Sequence, residues 1–208
     1  MDDPAHNSDQ YFTNLSAEER ERSARYVTAL LGRRYVVRKA ILRFLLAGYL
    51  NLTPTEIRFA YNERGKPMLD AQRHPDPVHF NVTDAGSQAL LAFTRIGAIG
   101  IDLEAVIAIP DMMQVARYCF SAQEQAQLDQ LSGEAPVRGF YHAWTRKEAL
   151  IKAEGTGLSR AVNRFSVTLT PGEPARLLHA DAPSLYAYEL FDLTVDATHV
   201  AAVAVRRA

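Results

Sequence analysis

Asp102 and Glu104 stand two residues apart in GIDLE, Gly100 to Glu104. In a strand the side-chain period is two, so both carboxylates share a face while Ile101 and Leu103 turn to the other, into a core. Two acids one strand step apart repel each other unless a cation lies between them. Hard oxygen ligands of this kind suit Mg²⁺, which keeps several waters and takes one or two carboxylates plus substrate phosphates. Gly100 would let a ligand or a neighbouring backbone come close. The plainer alternative is a pair of solvated acids, since charged residues are mostly exposed.

The second constellation is WTRKEALIKAEGTGLS, Trp144 to Ser159. Phe140, Trp144, Lys147 and Ile151 form one helical stripe, apolar except for the lysine. A lysine there must carry its ammonium out to water or meet an anion. Trp144, Glu148 and Lys152 follow one another at i+4 steps, an aromatic, an acid and a base on one face. Glu148 and Lys152 could equally be a surface ion pair worth about 0.3–0.5 kcal/mol. The third is a basic cluster, Arg33, Arg34, Arg38, Lys39 and Arg43, within about three helical turns. Such a run is usually a solvated face. With Lys66 of RGKP, whose direction Gly65 and Pro67 fix, it could instead contact phosphate. Nucleic acid is the competing partner, but aromatic interleaving is absent and the rest of the chain is not basic.

The elements that must position these groups can be read along the chain. In LSAEERERSARY, Ser16 with Glu19 predicts a capping box opening a helix. A second helix is predicted over about Arg33 to Leu50. Short β-like pieces follow, punctuated by Pro and Gly, in TPTEIRFAYNERGKPML and DAQRHPDPVHF. SQALLAFTRIGAIGIDLEAV reads as two strands meeting at a turn around Arg95 to Gly97. Helical patterning covers Asp111 to Leu131, interrupted at FSAQE, where Ser121 can cap a new helix with Glu124 at N3. The Trp144 helix follows the SGEAP loop and closes at Gly155. FSVTLTPG and the segment from Leu185 to Arg207 alternate in strand fashion. Helices and strands mix without a βαβ rhythm, which favours an α+β fold.

Composition excludes several classes. The chain has 208 residues, 48% hydrophobic and 23% charged, with a formal net charge of -1. That is an ordinary globular balance with no basic field for nucleic acid. A single cysteine, Cys119, rules out an internal disulfide and any cysteine zinc cluster. The six histidines are scattered without metal-site spacing. The polar start MDDPAHNSDQ lacks the apolar core of a secretion signal, and no apolar run is long enough to span a bilayer. A cytoplasmic location without membrane association is expected.

Taken together, these pieces resemble the 4′-phosphopantetheinyl transferases of the larger, surfactin-synthetase-activating type. In the family's order, LSAEERERSARY and RRYVVRKAILR resemble its N-terminal helices, NERGKPML its GKP segment and FNVTDAG its FN-x-S-H-S segment. GIDLE resembles its metal strand, FSAQE its F-S-x-x-E, and WTRKEALIKAEGTGL its W-x-x-K-E-x-x-x-K helix. The match runs from about Leu15 to Leu158. The resemblance implies a pseudo-twofold α+β fold with the active site between two similar halves, here 1–105 and 106–208. It implies Mg²⁺-dependent transfer of the phosphopantetheine arm of coenzyme A to a serine of an acyl or peptidyl carrier protein. By position, Asp102, Glu104 and Glu148 match the magnesium ligands, Glu148 also the base and Lys152 the lysine that steadies the pyrophosphate and leaving oxyanion. Lys39 matches a contact to the 3′-phosphate of coenzyme A, and Gly65, Lys66, Pro67, Thr83 and Asp84 match cofactor-contacting segments. A monomer is expected, with an acidic carrier helix docking near Cys119 and Phe120. On this reading the helix carries Lys147 because it edges a cleft filled by a polyanion.

Two departures stand out. Thr83-Asp84 replaces the family's Ser-His, so Asp84 is expected to bind metal or water at the pyrophosphate, or to be held protonated by that anion. The polar segment Met1 to Asn14 is short for the strand with which relatives of this type usually begin, so the first half would be trimmed or differently started. The alternatives to a transferase are a silent relative that holds coenzyme A or a nucleotide, and a nucleic-acid-binding module built on the basic helix.

Overall fold

A computed structural model describes residues 1–2, 8–157 and 162–207. Leu158 and Ser159, which close the Trp144 motif, and residues 3–7 of the polar N-terminal segment lie outside the described residues. Three helices open the fold: α1 (Ser8–Phe12), α2 (Ala17–Ala24) and α3 (Ala29–Leu50). Ser16 and Glu19 make the reciprocal capping box predicted for α2. The basic helix α3 starts four residues earlier than its apolar pattern, because Thr28 accepts a hydrogen bond from the Leu31 N–H.

Two antiparallel pairs follow, β1 (Phe59–Tyr61) with β2 (Pro67–Leu69) and β3 (His79–Ala85) with β4 (Gln88–Thr94). Strand β5 (Ile99–Ala105) carries GIDLE. Helices α4 (Met112–Cys119), α5 (Ala122–Asp129) and α6 (Ala135–Glu154) come next. The break at FSAQE falls where predicted, with Ser121 and Glu124 forming a second capping box. The last four strands are β6 (Phe165–Val167) paired with β7 (Leu177–Ala180), and β8 (Tyr188–Leu193) paired with β9 (His199–Arg206).

A long helix, a short strand pair and a longer strand pair therefore occur twice, as α3 to β4 and as α6 to β9. This repeat gives the pseudo-twofold α+β fold expected from the motifs. Strands β4 and β5 meet at the predicted turn but enter different sheets: β4 pairs with β3, whereas β5 pairs antiparallel with β9. Each half has its own core. Leu42, Leu46, Ile57, Leu69 and Phe80 fill the first, and Phe120, Phe140, Leu150, Ile151, Phe165 and Ala202 belong to the second. Among the described residues no helix is long and apolar enough to cross a membrane.

Candidate active site

The site forms where β3 and β5 meet the last turns of α6. Ile101 and Leu103 are buried, as the alternation of GIDLE requires, and the acids of β5 turn the other way. That face is not the solvated surface that charge alone suggests: Asp102 is only 4% exposed. It lies under α6, which can approach closely because position 100 has no side chain. A Cβ at Gly100 would stand 2.1 Å from the Ala149 carbonyl oxygen and 2.2 Å from the Ala153 nitrogen. Strand β3 is tied to β5 by the Asn81 Oδ1, which accepts from the Ile101 N–H at 2.8 Å.

Lys152, one turn beyond Glu148 on α6, donates to the Asp102 Oδ1 at 2.5 Å. The Thr83 hydroxyl completes the junction with longer contacts, 3.4 Å to Asp102 and 3.5 Å to Lys152. The other carboxylate oxygen of Asp102, Oδ2, is buried and has no hydrogen-bond partner. An orphaned acceptor in such a place is costly unless a ligand meets it. Glu104 accepts a hydrogen bond from the Trp144 side chain, so the aromatic of the motif orients the second acid of the strand.

Electrostatics tie the three acids together. Burial raises the pKa of Asp102, against the pull of Lys152. Burial, then the charge of Asp102, raises Glu104, and the same two causes raise Glu148, to which Glu104 adds. Strand acids and helix acid thus share one field. Among the described residues no group of three acidic, histidine or cysteine side chains is placed to hold a metal ion. Mg²⁺ needs none, because one or two carboxylates suffice when substrate phosphates and water supply the rest. The orphaned Asp102 oxygen and the all-oxygen donor set fit that ion.

Glu148 and Lys152 open onto a cleft of about 280 Å³. Its other wall is the β1–β2 connection with Gly65, Lys66 and Pro67, together with Asn81 and Val82 of β3. Both halves of the chain therefore line it. Arg64, Asn81 and Gly157 also line it and were not anticipated from sequence. The alternation of β3 held the signal for Asn81, which shares a face with Thr83, and Arg64 directly precedes the GKP turn.

The structure corrects two expectations. Lys147 does not serve the cleft. It is 1% exposed and pairs with Glu124 at 2.9 Å, donates to the Val162 carbonyl at 2.8 Å and stands over the Phe165 ring. Its anion is the capping-box acid of α5, whose other oxygen accepts from the Val167 N–H at 2.9 Å. Asp84 does not face the acids either. Strand alternation turns it away from Thr83 and toward α3, where it forms an ion pair with Arg38. Lys39, matched to a phosphate contact, stands 3.8 Å from Glu19 and 4.9 Å from the centre of the Phe59 ring. Most of the basic cluster is thus paired rather than solvated: besides Arg38 and Lys39, Arg34 bonds Asp2, and Arg43 bonds Glu19 at 2.7 Å.

Comparison with known proteins gives a consistent picture. A family model described as the 4′-phosphopantetheinyl transferase superfamily matches residues 98–204, and one described as 4′-phosphopantetheinyl transferase, N-terminal, matches residues 4–95. The chain is 34% identical over 205 residues to the 4′-phosphopantetheinyl transferase HetI of Nostoc, covering 99% of this chain and 84% of that protein. It is 32% identical to the 4′-phosphopantetheinyl transferase Sfp of Bacillus subtilis, over 78% of this chain and 70% of that protein. It is 27% identical to the mouse L-aminoadipate-semialdehyde dehydrogenase-phosphopantetheinyl transferase, over 93% of this chain and 68% of that protein.

Proposed function

Because this chain belongs to the 4′-phosphopantetheinyl transferase superfamily, we propose that the cleft between its halves is where the phosphopantetheine arm of coenzyme A passes to a carrier-protein serine. The enzyme is a 4′-phosphopantetheinyl transferase, and its products are the holo carrier protein and 3′,5′-ADP. The observation that carries the site is the buried, partnerless Asp102 Oδ2 beside Lys152, Glu104 and Glu148.

Of Asp102, Glu104 and Glu148, one or two would hold Mg²⁺ directly, with substrate phosphate and water supplying the other oxygens. Bound there, the ion would neutralise phosphate charge. Glu148 takes the proton of the attacking serine, a role suited to a carboxylate whose pKa burial and neighbouring acids raise. The serine oxygen bonds to phosphorus as the bond from phosphorus to the ADP oxygen breaks. Lys152, whose side chain is about a third exposed, can share its ammonium between Asp102 and that departing oxygen. The Gly65–Lys66–Pro67 backbone and Thr83 would border the donor, with Arg64 adding positive charge. Lys39 and Asp84 lie outside the lining of this cleft, and a role for them would belong to the outer parts of coenzyme A.

The division into halves at 1–105 and 106–208 serves this reading with one qualification of geometry. Strand β5 closes the first segment in sequence and hydrogen-bonds to β9 of the second, so the metal strand bridges the two. An acidic carrier helix docking near Cys119 and Phe120, a monomeric enzyme and a cytoplasmic setting complete the proposal. Arg38 neutralises Asp84, which removes the repulsion on which a silent coenzyme A-binding relative depends. The test is mass spectrometry of apo acyl and peptidyl carrier proteins incubated with the enzyme, coenzyme A and Mg²⁺. Carriers gaining the mass of one phosphopantetheine support the proposal. Coenzyme A binding without any transfer, or transfer that ignores chelation of the metal, overturns it.

A further inference from the structure

Lys66 was matched to a cofactor contact, yet its side chain is fully engaged elsewhere. The Lys66 ammonium donates to the carbonyls of Lys152 at 2.5 Å, Ile99 at 3.0 Å and Ala153 at 3.3 Å. Three carbonyls match the three donors of an ammonium. Two of them are last-turn carbonyls of α6, which have no partner inside the helix, and the negative end of the helix dipole favours a cation there. The third opens β5. Burial pulls Lys66 down to about 8, still charged at neutral pH, and the carbonyls favour the proton it holds.

The same turn grips the helix at a second point. The Asn62 side-chain amide donates to the Gly155 carbonyl at 2.9 Å, while its Oδ1 accepts from the N–H groups of Arg64 and Lys66. Gly155 ends α6 in the left-handed region, with Asn62 3.0 Å from where a Cβ would sit. The β1–β2 turn of the first half therefore holds the end of α6, in the second half, to the start of β5, which closes the first. Lys152 lies at the gripped end of that helix, and Asp102 lies three residues beyond Ile99.

We propose that Lys66 is a positioning residue: its ammonium locks the end of α6 to β5 and so sets Lys152 against Asp102, while only its backbone borders the donor. The role rests on the transferase reading above. A phosphate-binding lysine and a lock make opposite demands on kinetics. Removing a phosphate ligand raises KM for coenzyme A, whereas loosening Lys152 lowers kcat.

Lys66→Met keeps length and removes the donors. The lock requires kcat to fall about tenfold or more while KM for coenzyme A stays within about twofold. It also requires amide hydrogen exchange across residues 149–157 to speed up by about tenfold or more, with exchange in α3 and β3 unchanged. Lys66→Arg, which keeps a charged multiple donor, should recover most of both. Should Lys66→Met fail to fold, Lys66→Gln, with one donating amide, carries the same readings. A rise in KM at constant kcat, or unchanged exchange at the end of α6, overturns the proposal. The exchange measurement needs no turnover, so it judges the lock even if no carrier protein is modified.

Discussion

Gly100→Ala tests the geometry on which the site depends. The added methyl would lie 2.1 Å from the Ala149 oxygen, 2.2 Å from the Ala153 nitrogen and 2.8 Å from the Lys152 carbonyl carbon. All three are backbone atoms of α6, so no side-chain rotation relieves the overlap. Ordinary contact begins at 3.4 Å, and the strand and helix must part by about 1 Å. Overpacking of this kind costs roughly 1–3 kcal/mol, with backbone against backbone at the upper end. For a chain of this size that lowers Tm by about 5–10 °C. Catalysis should suffer more than stability. Asp102 shares the face of Gly100, and its 2.5 Å contact with Lys152 opens beyond hydrogen-bond reach. A misplacement of about 1 Å among reacting groups costs on the order of a hundredfold in rate. Gly48→Ala is the control: a methyl there meets nothing within 4 Å, and alanine suits the interior of α3 better than glycine, so Tm should hold or rise. The assays are thermal unfolding by circular dichroism and the rate of transfer of a fluorescent coenzyme A arm to a carrier protein. A Gly100→Ala enzyme with parental Tm would refute the close crossing. One that loses stability but keeps its rate would show that the seating of β5 on α6 does not set the chemistry.

Three further outcomes follow from the same structure. Asp102, Glu104 and Glu148 bind protons more tightly folded than unfolded, so their contribution favours the fold at low pH and is lost as pH rises through their raised values. Mg²⁺ should offset that loss by about 2.7 kcal/mol at a hundredfold excess over its Kd near neutral pH. The gain should disappear below the ordinary carboxylate values and in Asp102→Asn, as read by thermal shift; Asp102→Asn should abolish transfer while leaving metal-free Tm equal or higher. Lys147→Met strands the fully buried Glu124 and should cost about 3–5 kcal/mol in urea unfolding, with the double change Lys147→Met/Glu124→Gln costing less. Asp84→Asn releases Arg38 without touching the acids of β5, so KM for coenzyme A should fall or hold and the Mg²⁺ dependence of the rate should stay as it was.

Much of the fold can be read from local chemistry. Ser16 with Glu19, and Ser121 with Glu124, announce helix starts because a capping box involves only four consecutive residues. Gly155 announces the end of α6 because the left-handed cap needs glycine. Asp102 and Glu104 can be placed on one face of β5 because the strand period is fixed. The sheet partners could not be read that way. LLAFTRIGAIGIDLE looks like two consecutive strands, but nothing in those residues says that β4 turns back to β3 while β5 crosses to β9, about a hundred residues on.

What the sequence determined by itself is which side chains share a face and where helices begin and end, since these depend on backbone periods and neighbours a few residues away. What the tertiary structure alone decided is what each face meets. Lys147 and Lys152 sit five residues apart on one helix, yet one is buried against Glu124 and the other reaches Asp102. Lys66, read as a cofactor contact, turns instead to three backbone carbonyls. A buried charge takes whichever partner the packed chain brings within about 3 Å, and that partner can lie anywhere in the sequence.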